Sequence, residues 1–83
     1  MNANDFKPNL PLSSLAPGVR ATITDIHTDD ALRQRLLALG FRTGKPIEII
    51  RKASFGGPLQ VRIGTTDILL RRNEAAKIEV KKT

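Results

Sequence analysis

The segment Leu32 to Ile50, LRQRLLALGFRTGKPIEII, sets a helical pattern directly against a strand pattern, with two glycines between them. Leu32, Leu36 and Leu39 recur at helical spacing and form a stripe expected to face a sheet. Gly40 then stops the helix, because glycine enters the left-handed conformation that other residues resist. Gly44 turns the chain, and Ile47, Ile49 and Ile50 open a strand. Upstream, Thr28 or Asp29 can cap the helix, and Asp29 and Asp30 sit where its dipole favours negative charge. The remaining periodicity is that of strands, so one short helix must be housed inside a small β domain.

That strand pattern is regular. Leu10, Leu12 and Leu15 make an apolar clasp that ends at the turn Ala16-Pro17-Gly18. Val19, Ala21 and Ile23 then alternate with Arg20, Thr22 and Thr24, the signature of a half-buried strand. Further strands are expected over Pro46–Lys52, over the stretch of Leu59, Val61 and Ile63, over Asp67–Arg71, and over Lys77–Lys81. Asn73–Ala76 has the length of a single helical turn. About five short strands at close spacing suit a small barrel, which also removes sheet edges. Residues 1–9 lack periodicity and include Pro8, so they read as a flexible leader. Residues 10–83 read as one domain.

An 83-residue chain buries little core, and this one lacks the usual reinforcements. It has no cysteine, which excludes both a disulfide and a thiolate zinc site. No basic cluster followed by an apolar run marks a secretory signal, and no apolar run approaches the roughly 20 residues needed to span a bilayer. The expectation is a cytoplasmic chain. Its formal net charge of +6 favours acidic partners, although the basic residues are dispersed rather than blocked.

The order and spacing of several elements resemble the FeoA family, the small cytoplasmic proteins that accompany the FeoB ferrous iron transporter. The residues that carry the resemblance include Pro17-Gly18, Leu32 with Arg33, Arg35-Leu36, Leu39-Gly40, Gly44, Gly56-Gly57-Pro58, Ile63-Gly64, Leu70-Arg71 and Glu74-Ala75. The match runs from Leu12 to Val80 in unbroken order. Thr43 departs from it, standing where proline is expected before the turn glycine. The resemblance implies an SH3-like barrel with a helix inserted after the first strand. It also implies a partner of the FeoB-type transporter, docking on its cytoplasmic GTPase region or membrane-proximal face, rather than an enzyme.

The residues agree that catalysis is a poor fit. No nucleophile–base pair or carboxylate pair stands out, and no Walker-type loop is present. His27 is the sole histidine, and Asp25, Asp29 and Asp30 near it read as a helix cap and a solvated cluster, so neither a metal nor another cofactor is expected. Proline-rich ligands need an aromatic-lined groove, yet this chain has no Trp, no Tyr and only three Phe. The same scarcity weakens the alternative of a nucleic-acid-binding basic barrel, since small barrels stack bases on aromatics.

Partner-binding candidates are therefore apolar or basic residues on the outside. Leu37 lies off the leucine stripe beside Arg33, either covered by Leu10 or Leu12 or exposed for a partner. Phe55 sits at the tip of a loop, where the glycines answer to turn geometry, and the aromatic either folds back on the barrel or anchors a partner. Leu69 points outward between Ile68 and Leu70. Arg35 borders the buried stripe and can reach the Asp29-Asp30 end or a partner carboxylate. Arg33, Arg35, Leu37, Phe55, Leu69 and Arg71 form the candidate set.

Overall fold

The computed structural model describes residues 9–83. The expected leader therefore lies outside the described residues except for Asn9. Six strands and two helices follow one another: β1 (Leu10–Pro11), a single 3-10 turn (Leu12–Ser14), β2 (Arg20–Ile26), α1 (Asp30–Ala38), β3 (Pro46–Lys52), β4 (Leu59–Ile63), β5 (Thr66–Leu70), α2 (Arg72–Ala75) and β6 (Ile78–Lys82). Every pairing is antiparallel, in the order β1-β6-β2-β3-β4-β5. Leu12, Ile23, Ile49, Val61, Leu70 and Val80 belong to one buried cluster although they come from both ends of that order. A flat sheet could not bring them together, so the sheet wraps around a single core.

Two details differ from the sequence expectation. The two-residue β1 adds a strand, so α1 follows the second strand rather than the first. And of the leucine stripe only Leu36 is fully buried, while Leu32 is half-buried against the core and Leu39 is 41% exposed. The reason lies in how α1 ends. Gly40 takes φ +102 and donates its N–H to Leu37 O at 3.0 Å, while Phe41 N–H reaches Leu36 O at 2.9 Å. That pair of bonds is a Schellman cap, and it swings Phe41 beneath the helix end. Phe41 is fully buried in the core, and Leu39 is left outside it.

The other end of α1 is capped by Asp29, whose carboxylate accepts from Leu32 N–H at 2.9 Å. In β2 the pairing with β6 shifts between Ile23 and Asp25, leaving Thr24 as an extra residue. Strict alternation would aim Asp25 inward with Ile23. The bulge reverses the phase, so Ile26 is buried while Asp25 and His27 face solvent.

Candidate functional site

The loop from Ala53 to Pro58 closes the β3–β4 hairpin. Ala53 N–H donates to Pro58 O at 3.0 Å, and Gly57 N–H donates to Ser54 O at 3.2 Å. The two central residues of that inner turn, Phe55 and Gly56, have φ of +58 and +74. Positive φ at both positions is the mark of a type I′ turn, which prefers Asn-Gly, Asp-Gly or Gly-Gly. Gly57 serves a different need, since a Cβ there would come within 2.8 Å of the Ala53 Cβ. Phe55 is the one non-glycine residue with positive φ among those described, and its side chain is fully exposed. Neither burial nor backbone preference favours phenylalanine at this place.

Beside the loop, β5 pairs only with β4 among the described residues, and Leu69 projects from it at 69% exposure. A hollow of about 450 Å³ opens between the two, lined by Gly56, Gly57, Pro58, Leu69, Leu70, Arg71 and Arg72. Leu69 and Pro58 also line a smaller hollow next to it with Arg51. The exposed guanidiniums of Arg51 and Arg71 make no ion pair among the described residues, so the apolar surface has a positive rim. The loop is held in place from below, because Arg72 Nη2 donates to Ala53 O at 3.2 Å. A comparable hollow around Pro46 and Gly64 differs in kind: Arg20 and Arg62 on its wall already pair with Glu48 and Asp67.

The six candidates thus divide. Leu69 and Arg71 line one hollow with Gly56, and Phe55 precedes Gly56 in the same loop. Arg33, Arg35 and Leu37 lie on α1. Arg33 turns inward and donates to Ile26 O at 2.6 Å, which ties the helix to the end of β2. Arg35 meets neither Asp29 nor Asp30; it pairs with Glu74, a carboxylate that is nearly buried and also accepts Arg71 N–H at 3.1 Å. Leu37 is half-buried. Arg35→Ala would leave Glu74 with one donor and no counter-charge. Charge-assisted hydrogen bonds contribute about 1.5–3 kcal/mol, and half-exposure of Arg35 places the expected loss near the lower end. A urea melt of that variant should show a destabilisation of about 1–2 kcal/mol; an unchanged midpoint would make the ion pair a surface decoration.

One cluster was legible only in part, since the sequence sets Asp25 beside His27 but not Glu79. Asp25, His27 and Glu79 converge, with His27 Nε2 2.5 Å from Glu79 Oε2 and 3.6 Å from Asp25 Oδ2. The hydrogen bond that the His27 imidazole donates to Glu79 and the charge of Asp25 raise the His27 pKa, and the same hydrogen bond holds Glu79 below the usual carboxylate range. Glu79 lies 52 residues from His27 and becomes its neighbour only because β6 pairs with β2.

Comparison with known proteins places this geometry. A FeoA domain model matches residues 10–82. The chain belongs to the FeoA family. It is 39% identical over 70 residues to the Fe(2+) transport protein A/Fe(2+) transporter FeoB fusion protein of Porphyromonas gingivalis, covering 84% of this chain but only 8% of that much longer protein. The solution structure of iron(II) transport protein A from Clostridium thermocellum is 39% identical, with a TM-score of 0.85 over 89% of this chain and 46% of that one. The Stenotrophomonas maltophilia FeoA, a prokaryotic SH3 domain protein solved in complex with zinc, is 34% identical, with a TM-score of 0.73 over 84% and 87%. The wrapped antiparallel sheet with its short helices is thus the SH3-like FeoA fold. No helix among the described residues is long and apolar enough to cross a membrane.

Proposed function

We propose that this FeoA domain is a cytoplasmic accessory protein of a ferrous iron transport system, and that it acts by docking on a FeoB-type transporter rather than by catalysis. The observation that carries the reading is Phe55, a fully exposed aromatic held in a turn position that suits asparagine or glycine, in the loop whose Gly56, Gly57 and Pro58 line a hollow with the exposed Leu69 and Arg71. Interface anchors are typically aromatic residues at the centre of a patch, with arginine beside them. The fusion relative, in which a FeoA segment and FeoB share one chain, supports the choice of partner. The surplus of positive charge would speed the encounter with an acidic patch on the transporter's cytoplasmic side. Preferential binding to one conformation there would shift the population of transport-competent states.

The test is binding of the purified chain to its cognate transporter in lipid nanodiscs, at low and moderate salt and in each nucleotide state. Saturable binding at about micromolar affinity or tighter is expected, weakening with salt. Absence of binding in every state would overturn direct docking.

A further inference from the structure

The cluster at the β2–α1 corner has a donor set that the docking surface does not use. Its geometry begins with the bulge at Thr24. By reversing the phase of β2, the bulge puts Asp25 and His27 on one outer face, and the antiparallel register sets Glu79 of β6 directly opposite Asp25. The side-chain donors, one imidazole nitrogen and two carboxylate oxygens, all lie within 4.8 Å of one another. Small side-chain rotations bring such separations to the roughly 3.4 Å expected between donors around one ion with bonds of about 2.0–2.2 Å.

A second observation separates this cluster from ordinary surface acids. Among the described residues, Glu48, Asp67 and Glu74 each pair with an arginine, Asp29 caps a helix, and Asp30 stands in the first turn of that helix without an ion pair. Asp25 and Glu79 have no lysine or arginine partner although the chain carries a net charge of +6. Two carboxylates share one imidazole. A hollow of about 220 Å³ lined by Asn9, Leu10, Pro11, His27, Ala76 and Glu79 leaves room beside them for water or a further ligand.

We propose that Asp25, His27 and Glu79 form a binding site for a divalent first-row transition ion. The mixed donor set decides the class. Imidazole suits zinc and ferrous ions, whereas magnesium and calcium prefer all-oxygen shells. The ion takes the place of the proton shared between His27 Nε2 and Glu79, and that proton leaves to solvent. With three protein ligands and open positions, the site is exchangeable rather than structural. Bound metal would cross-link the end of β2 to β6.

The experiment titrates the untagged full chain with Zn²⁺ by calorimetry and with Mn²⁺ by paramagnetic broadening of amide NMR signals. One Zn²⁺ per chain is expected, with Mn²⁺ broadening centred on Asp25, His27 and Glu79. His27→Ala should weaken Zn²⁺ binding by at least about tenfold. Asp25→Asn and Glu79→Gln should weaken it as well, while Asp67→Asn leaves it unchanged. Asp25 and His27 are both more than half exposed, so their variants should stay folded even if Glu79→Gln does not. Binding that survives His27→Ala, broadening centred elsewhere, or equal displacement by excess Mg²⁺ would each overturn the assignment.

Discussion

Phe55→Asn is expected to lower affinity for the proposed transporter partner at least about thirtyfold and to make the domain more stable. The first half follows from anchor energetics: truncating a central aromatic at a protein interface costs about 2 kcal/mol or more. The second follows from the backbone. Phe55 is the first central residue of a type I′ turn with φ +58, and Asn-Gly is the preferred pair for that turn. Left-handed backbone costs an ordinary L-residue about 1–2 kcal/mol, and asparagine avoids much of it. The side chain is fully exposed, so nothing is lost from the core. A gain of about 0.5–1 kcal/mol would raise the melting temperature by several degrees in a domain of this size. Nanodisc binding and a thermal melt on the same samples check both halves. A more stable variant with undiminished binding would remove Phe55 from the interface. A marked loss of stability would show that Phe55 has cover on the free protein.

Phe41→Ala has the opposite profile: it should abolish folding near room temperature or leave a small residual stability. Phe41 is fully buried at the point where the Schellman cap returns the chain to the core, and large-to-small changes of this kind cost about 3–5 kcal/mol. Small domains have only about 0.05–0.15 kcal/mol of stability per residue. For 83 residues that is about 4–12 kcal/mol, of which the cavity consumes a large share. Urea denaturation followed by circular dichroism measures it, with Phe41→Leu as the milder comparison. A loss under about 1 kcal/mol for the alanine variant would mean that the helix end repacks without Phe41. Two phenylalanines fourteen positions apart, by subtraction of their numbers, thus have unrelated tasks.

These two residues also mark how far the sequence could be read. The helix, a cap at Thr28 or Asp29, its Gly40 stop and the strand Pro46–Lys52 were all legible, because each rests on local periodicity or on one residue's conformational preference. The exchange of Leu39 for Phe41 in the core was not. It depends on a chain reversal that helical spacing does not encode. Nor could alternation foresee the bulge at Thr24, which turns Asp25 outward. Arg35 with Glu74, and His27 with Glu79, join residues 39 and 52 positions apart. Such pairings become visible only once strand order and register are known. Leu69 was readable from alternation alone, and Phe55 stood out as an aromatic among turn residues. What the structure added was the turn type, which makes phenylalanine the unfavoured choice there.

The strand order also bears on how the domain is made. β6 lies between β1 and β2, so the last strand in the chain separates two of the first. Leu10 pairs with Val80, and Ile23 with the same residue on the other side. During synthesis β1 has no neighbour to pair with until β6 has left the ribosome, and β2 has only β3. Closure of the sheet therefore rests on distant pairings, which places this domain among the slower of the small folders, on the millisecond-to-second scale. Until β6 arrives, the apolar faces of β2, β3 and β4 stand open to water, and that interval is when the chain is most exposed to aggregation.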